Sequence, residues 1–134
     1  MSAVDTALMS KLQSAPAVTA AAPGGVYPIV APPGVAEPFI VVQMMAHEDE
    51  YETDNGHMEI GRYLVKAVGK GSNSVAVSAA EQAIHAALQD QPLTVPGYTH
   101  MLCHREERMP PSVDVDGPIL WQSRGGIYAV WVSQ

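Results

Sequence analysis

The amino-acid sequence predicts an α+β domain with a mainly antiparallel four-stranded sheet, in the order α-β-β-α-β-β. Short apolar segments rich in β-branched and aromatic residues are bounded by proline, glycine or charge, and one long amphipathic segment separates them into two pairs. The 134 residues are expected to form one domain, 1–134, that buries a core without disulfides. The single cysteine, Cys103, cannot form an internal disulfide, which favours a reducing compartment.

The first helix is predicted over residues 3–15, where Asp5 can cap the amino terminus and Pro16 ends the apolar pattern. Residues 16–38 then form a proline-rich arm that contains six of the eleven prolines. Because proline fixes φ and lacks an amide donor, we expect this arm to be extended, and neither helical nor part of a central strand.

A first hairpin is predicted from strands at 39–47 and 57–68, which are joined by the loop 48–56. Asn55-Gly56 supplies the chemistry of a hairpin turn, and the loop is long enough to project from the body. Side chains alternate between the two faces of a strand, and apolar residues occupy both alternating sets here. Both faces of the sheet are therefore expected to be apolar.

An alanine-rich helix is predicted over 74–90, because apolar residues recur there mainly at spacings of three and four. Two helices, one of them short, can cover only one face of the sheet. The other face must be covered by the arm or by a neighbouring subunit, and an uncovered apolar face marks an interface. The residues predicted for the subunit interface are Phe39, Val41, Met45, Tyr63, Trp121, Tyr128 and Trp131.

The second hairpin is predicted from strands at 97–109 and 119–132, with helices packed only on one face of the completed sheet. Residues 110–118 are rich in proline, glycine and aspartate and are expected to form a loop between the strands. The adjacent glycines Gly125 and Gly126 predict a bulge or kink in the last strand.

The negative charge is concentrated in one part of the chain. The formal net charge is −7, and seven acidic residues lie between Lys11 and Arg62, where no lysine or arginine occurs. Because clustered basic residues are needed to grip nucleic acid, this distribution argues against specific DNA or RNA binding. A solvated hairpin tip that keeps the protein soluble explains the pattern about as well as a functional role does. The acidic residues of the loop are Glu48, Asp49, Glu50, Glu52 and Asp54.

No motif predicts catalysis, a cofactor or a metal. The glycine-rich segment 69–72 fails the GxxxxGK[ST] phosphate-loop pattern at two positions, and no G-x-S-x-G motif occurs. His100 and His104 would lie about 13 Å apart on a strand, with Cys103 on the opposite face, which is incompatible with one zinc ion. No apolar run approaches the roughly 20 residues of a membrane span, so the protein is expected to be soluble and cytoplasmic at synthesis.

Several segments in order carry a resemblance that covers nearly the whole chain. They are the short N-terminal helix, Val26-Tyr27-Pro28, Ala31-Pro32, the strands at 38–43 and 62–68, the helix at 74–90, Arg105-Glu106 and the closing segment 126–132. Together they resemble the tail completion (tail terminator, head–tail joining) proteins of long-tailed bacteriophages. Residues 58–61 depart from the pattern, because they are more polar than expected at the start of a strand.

The resemblance implies a structural virion protein without catalytic residues, assembled in the host cytoplasm. Such proteins form a ring, typically a homohexamer, at the head–tail junction. The ring ends growth of the tail tube and joins the tail to the head, and DNA passes through its lumen without specific binding. The implied partners are other copies of the chain, the tail tube protein and a head connector or neck protein, with no membrane.

The resemblance also suggests a role for the acidic loop. We expect its carboxylates to face the channel or its rim, where they repel DNA phosphates. The alternative is the outer rim, where they would contact basic groups of the tube or connector. Two other classes stay open: another neck adaptor or a subunit of a phage-derived tail-like particle, and a small-molecule-binding domain or enzyme. The last is the least favoured, because no convergent polar site is visible.

Overall fold

The computed structural model describes residues 3–51, 57–71 and 73–133. The elements follow in the order α1 (Ala3–Ser14), α2 (Pro16–Ala21), β1 (Val26–Pro28), β2 (Phe39–Tyr51), β3 (His57–Lys70), α3 (Ser74–Leu88), β4 (Thr99–Asp116) and β5 (Ile119–Ser133). The described strands form one sheet in the order β1-β2-β3-β5-β4, in which only the β1–β2 pair is parallel. The predicted mixed α+β class with a mainly antiparallel sheet is confirmed, and the count of four strands is wrong.

The described helices contribute to one core on one face of the sheet. Leu8 and Leu12 from α1 and Ile84 and Leu88 from α3 are almost completely buried, and they belong to the same cluster as Val65 of β3. The apolar residues of α3 recur at three- and four-residue spacing, so this helix presents a continuous stripe to the sheet. None of the described helices is long and apolar enough to cross a membrane.

The segment 16–38 contains more regular structure than predicted. It includes α2, which begins at Pro16, a position where the missing amide of proline costs no hydrogen bond. It also includes β1, which pairs in parallel with residues 40–42 of β2 and supplies the fifth strand. The rest of the segment forms neither helix nor strand, and it is held near its end by Glu37, which accepts a hydrogen bond from the amide of Lys70 at 3.0 Å.

The first hairpin has longer strands than predicted. β2 continues to Tyr51, which pairs with His57, so residues 48–50 belong to a paired strand and not to the loop. Cross-strand pairing of the flanking residues is enough to extend the ladder through this charged sequence. The other part of the predicted loop, with Glu52, Asp54 and the turn Asn55-Gly56, lies outside the described residues.

The predicted loop 110–118 is also wrong. β4 runs to Asp116, and a two-residue turn at Gly117-Pro118 leads directly into β5. Two prolines are tolerated here because β4 is at the edge of the sheet and its register against β5 shifts between Met109 and Ser112. Proline then removes no hydrogen bond that an inner strand would need.

The glycine pair in β5 has a different cause from the predicted bulge. β5 pairs with β3 without a register shift, and the irregularities lie in β4 on its other side. A Cβ atom on Gly125 would lie 2.1 Å from the carbonyl oxygen of Val65, and one on Gly126 would lie 2.7 Å from Cδ of Arg105. The glycines are therefore required by the close approach of the adjacent strands β3 and β4.

The outer edge of β4 is partly occupied by the segment that follows α3. The amide of Asp90 donates to the carbonyl of Cys103 at 2.8 Å, and the amide of Arg105 donates to the side chain of Gln89 at 2.9 Å. These bonds satisfy edge groups that a neighbouring strand would otherwise pair with.

Candidate functional site

The face of the sheet opposite the helices, here called the open face, is the first candidate surface. Alternation along the strands places on it the side chains of Phe39, Val41, Leu64, Lys66, Trp121, Ile127 and Trp131. None of these belongs to the core cluster under the described helices. Val41 is buried, while the three aromatic residues are half-buried.

One end of the open face is partly covered by the chain itself. Residues 29–35 lie beside Phe39, Val41 and Trp121 and line with them a groove of about 430 Å³. The rings of Phe39 and Trp121 meet edge to face with centroids 6.1 Å apart, and Nζ of Lys70 lies 5.9 Å from the Trp121 ring. The far end, around Trp131, lies outside this groove.

A salt-bridge network crosses the middle of the open face. Arg62 of β3 reaches Glu48 of β2 through Nη1 at 3.1 Å and Glu106 of β4 through Nε at 2.9 Å. It can span β5 because its partner in register there is the small residue Ala129. The hydrogen bonds to Glu106 and Glu48 raise the pKa of Arg62. The network links three strands, and it is solvent-exposed, so its contribution to stability is small.

The acidic residues do not form a uniform group. Glu48 is half-exposed and bound to Arg62, while Glu59, on the adjacent strand, lies 3.5 Å from Nε2 of His47. Asp49 pairs in register with Glu59 on the neighbouring strand.

Three of the four arginines gather on the helix side of β4 and β5, and we call Arg105, Arg108 and Arg124 the arginine cluster. Nε of Arg108 lies 2.9 Å from the carboxylate of Glu81, which is almost completely buried in α3. Nε of Arg124 is buried and has no hydrogen-bond partner within the described parts of the chain. Within the described parts of the chain, Glu81 is the acidic residue that forms a salt bridge with this cluster.

The predicted interface residues fall into two groups. Tyr63 and Tyr128 are each 1% exposed and lie in the core of the single chain, where Tyr63 bonds to Asp5 and Tyr128 to His85. Packing within the chain accounts for both tyrosines, and the interface proposed below does not include them. Phe39, Trp121 and Trp131 are half-buried, and Met45 is 53% exposed at an irregularity of β2.

Two other exposed apolar groups were missed in the sequence. One consists of Val113, Val115 and Leu120 near the end of the β4–β5 hairpin, and the other of Ile29 and Met44 beside the free edge of β2. The alternation of valine with aspartate in 112–116 was the available signal for a strand with one apolar side.

Cys103 and its histidine neighbours form no cluster. Cys103 and His104 pair with successive residues of β5, so their side chains lie on opposite faces. Burial raises the pKa of the Cys103 thiol to about 12, which keeps it protonated. Among the described residues, no three histidine, cysteine or acidic side chains come close enough to hold a metal ion.

The fold is that of a small α+β domain whose described helices pack on one face of a mainly antiparallel sheet. One of the solved structures with this fold is a chain of the virion of a native gene transfer agent particle, with a TM-score of 0.72 and 14% identity, covering 98% of this chain and 95% of that one. No curated protein sequence matches the chain. The family model of tail completion protein gp17 matches residues 6–107, so the chain belongs to that family.

The predicted resemblance to tail completion proteins is thereby confirmed. The family membership makes the chain a structural virion protein of the tail.

Proposed function

We propose that copies of this chain form a ring, six-fold as in similar tail completion proteins, at the junction of tail and head. The ring ends growth of the tail tube, joins the tail to the head connector or neck, and lets DNA pass through its centre. The observation that carries the proposal is the open face, where the aromatic side chains are only half-buried because no described helix covers them.

The open face supplies the kind of surface that subunit contacts use. Phe39, Trp121 and Trp131 are large, rigid aromatic residues, which are enriched at protein interfaces. With Val41 and Met45 they form the proposed subunit interface. A contact between two different patches of identical subunits generates a closed ring when the rotation between neighbours closes.

The acidic part of the first hairpin borders the channel in this proposal. Six copies at −7 each carry a formal charge of −42 (6 × −7). Repulsion between these carboxylates and DNA phosphates acts over a screening length of about 8 Å in physiological salt, so it matters only where DNA passes close by. The wall of a channel meets this condition, and DNA then slides through without binding.

Neutralisation of the acidic residues tests this placement. A variant with Glu48→Gln, Asp49→Asn, Glu50→Gln, Glu52→Gln and Asp54→Asn is introduced into particles, and tail length, head joining and DNA delivery are measured. Normal tails joined to heads, with impaired DNA delivery, are expected. Loss of head joining would instead place these residues on the outer rim, in contact with the tube or connector.

A matched control carries Asp114→Asn and Asp116→Asn on the hairpin at the other end of the sheet. Both aspartates are exposed, and their neutralisation is expected to leave DNA delivery unchanged. Because Glu48 is bound to Arg62, the melting temperature of both variants is compared with that of the unmodified protein. Particles that lack the chain are expected to have overlong tails without heads, and tails of normal length would refute the terminating role.

A second candidate keeps the same position but changes the particle. The likeness to a chain of a gene transfer agent particle, over 98% of this chain, favours a phage-derived particle as an alternative to an infectious phage. Nuclease-protected DNA from purified particles decides between them: random host fragments indicate a phage-derived particle, and one repeated viral genome indicates a phage.

A further inference from the structure

Residues 29–35, here called the strap, lie across one end of the open face. They belong to the connection between β1 and β2, two neighbouring strands that run parallel. A parallel pair needs a connection that crosses the sheet from the end of one strand back to the start of the next. The described helices pack on the other face, so this connection crosses the open face without a helix of its own.

The strap is fastened to the sheet only near its two ends. At its start, the amide of Ile29 donates to the carbonyl of Val42 at 2.9 Å. Just beyond its end, the carboxylate of Glu37 accepts a hydrogen bond from the amide of Lys70 at 3.0 Å. Within the described chain, no backbone hydrogen bond joins residues 31–35 to a strand. The middle of the strap is therefore held by apolar contact alone.

The strap does not fill the space beneath it. A groove of about 430 Å³ lies between the strap and Phe39, Val41 and Trp121. Well-packed protein interiors contain few voids larger than a water molecule. Two aliphatic side chains of the strap, Ile29 and Val30, are 70% and 73% exposed, although an apolar surface lies next to them. The strap is therefore a loose cover.

The backbone of the strap allows it to move as a unit. Ile29 has a φ of 64°, in the left-handed region that a β-branched residue rarely adopts. Near the other end, Gly34 has a φ of 82°, and no atom lies within 4 Å of the place where its Cβ would be. Pro32 and Pro33 between them have a fixed φ and stay extended. A stiff piece thus lies between a strained residue and a glycine, and its movement relieves the strain at Ile29.

Val41 links the strap to assembly. The interface proposed above includes Phe39, Val41 and Trp121, and all three line the groove under the strap. Val41 is only 5% exposed in the single copy, although no described helix packs on its side of the sheet. The strap and a neighbouring copy cannot both cover this residue. A neighbour therefore reaches it only after the strap has moved.

We propose that the strap is a movable cover that keeps single copies apart. In the free chain it lies over Phe39, Val41 and Trp121, and in the ring the next copy takes its place on these residues. This role rests on the ring proposed above and adds how its formation is controlled. Because only the fraction of copies with an open strap is competent to join, the apparent affinity between copies falls by that fraction. The end of a tail raises the local concentration of bound copies, so the ring forms there first.

Thiol labelling measures the opening of the strap. Val41→Cys places a thiol under the strap, where a maleimide reacts only when the strap is open. Native Cys103 is buried, and burial raises its pKa to about 12, so it stays unlabelled. Glu37→Ala removes the oxygen to which the amide of Lys70 and Nδ2 of Asn73 donate. We expect it to raise the labelling rate about tenfold, because hydrogen bonds to a charged group are lost.

Two controls separate opening of the strap from other effects. Glu107→Ala removes an exposed carboxylate on the same face that does not line the groove, and it should leave the labelling rate unchanged. Val65→Cys lies in the core on the helix side and should be labelled only when the whole chain unfolds. If Glu37→Ala fails to speed labelling of Val41→Cys relative to Val65→Cys, the strap is not the cover of Val41.

Association of the purified chain gives the second measurement. With native Val41, light scattering should detect oligomers of Glu37→Ala at a concentration about tenfold lower than the unmodified chain requires. Glu107→Ala should behave as the unmodified chain does. Faster labelling without stronger association would show that the strap moves but does not control assembly, which would refute the proposal.

The outcomes for the strap and for the ring are distinguishable. If image reconstruction of tails shows a ring in which the strap still covers Val41, the movable cover is wrong and the ring stands. If the chain forms no ring at the end of the tail, the proposed function fails, and the control of ring formation fails with it.

Discussion

The two faces of the same sheet differ in what covers them. On the helix side, Val65, Ala67 and Val130 are completely buried under α1 and α3. On the open face, alternate residues of the same strands, such as Leu64 and Trp131, are half-buried. A single copy therefore buries more apolar side chains on the helix side than on the open face, and the assembly proposed above uses the open face. Substitutions on the two faces should separate folding from assembly.

Gly125→Ala should cause the largest loss of stability. At this position the backbones of β5 and β3 are packed as closely as side chains are in the core. The added Cβ would lie 2.1 Å from the carbonyl oxygen of Val65 and 2.6 Å from Cα of Lys66. Because backbone atoms cannot move aside as a side chain does, we expect the free energy of unfolding to fall by about 3 kcal/mol or more. Urea denaturation monitored by tryptophan fluorescence provides the measurement.

The control is Gly34→Ala in the irregular segment after β1. No atom lies within 4 Å of the added Cβ there, so only the positive φ of 82° opposes the change. We expect a loss of about 1 kcal/mol. Equal losses for the two variants would show that the strands do not approach as closely at Gly125 as described.

A pair of leucine substitutions compares the faces directly. Leu88→Ala removes a completely buried side chain from the core and should cost about 3 kcal/mol of stability. Leu64→Ala removes a half-buried side chain from the open face and should cost about 1 kcal/mol or less. Assembly on tails, measured at a temperature where both variants are folded, should be impaired only for Leu64→Ala. The reverse result would place the assembly surface on the helix side.

The smallest predicted effect is a loss of stability at low pH that His85, on the helix side, causes. Burial, followed by the positive charge of Arg105, lowers the pKa of His85 below its ordinary 6.5. The folded chain then resists a proton that the unfolded chain accepts, so His85 contributes full stability above about pH 6.5 and less as pH falls toward its folded pKa. We expect the melting temperature to drop between pH 7.5 and 5.5, and the drop to be smaller in His85→Gln. An unchanged drop would exclude His85 as its source.

The sequence predicted the long elements well, because each has a strong periodic pattern. α1 and α3 follow from three- and four-residue spacing, and β3 from its alternation. β1 was missed because it is three residues long and ends in Pro28, which is acceptable only at an edge. The end of β4 was missed because Pro110-Pro111 has the composition of a loop, while an edge strand with shifted register can contain it.

The assembly surfaces were harder to predict for a physical reason. Alternation shows which residues share a face, but not which face the helices will cover. Tyr63 and Tyr128 lie on the covered face, and Phe39, Trp121 and Trp131 lie on the open one, although all five look alike in sequence. The acidic stretch was visible because a charge imbalance needs no knowledge of the fold.

The blunted edge of β4 limits how copies can associate. The segment after α3 occupies part of this edge, prolines remove donors from another part, and shifts in register disturb the rest. A backbone ladder that ran from one copy into the next would have no natural end and would give fibres. We infer that side chains make the contacts of the proposed ring, so that their shape and angle set the number of subunits and growth stops at a defined size.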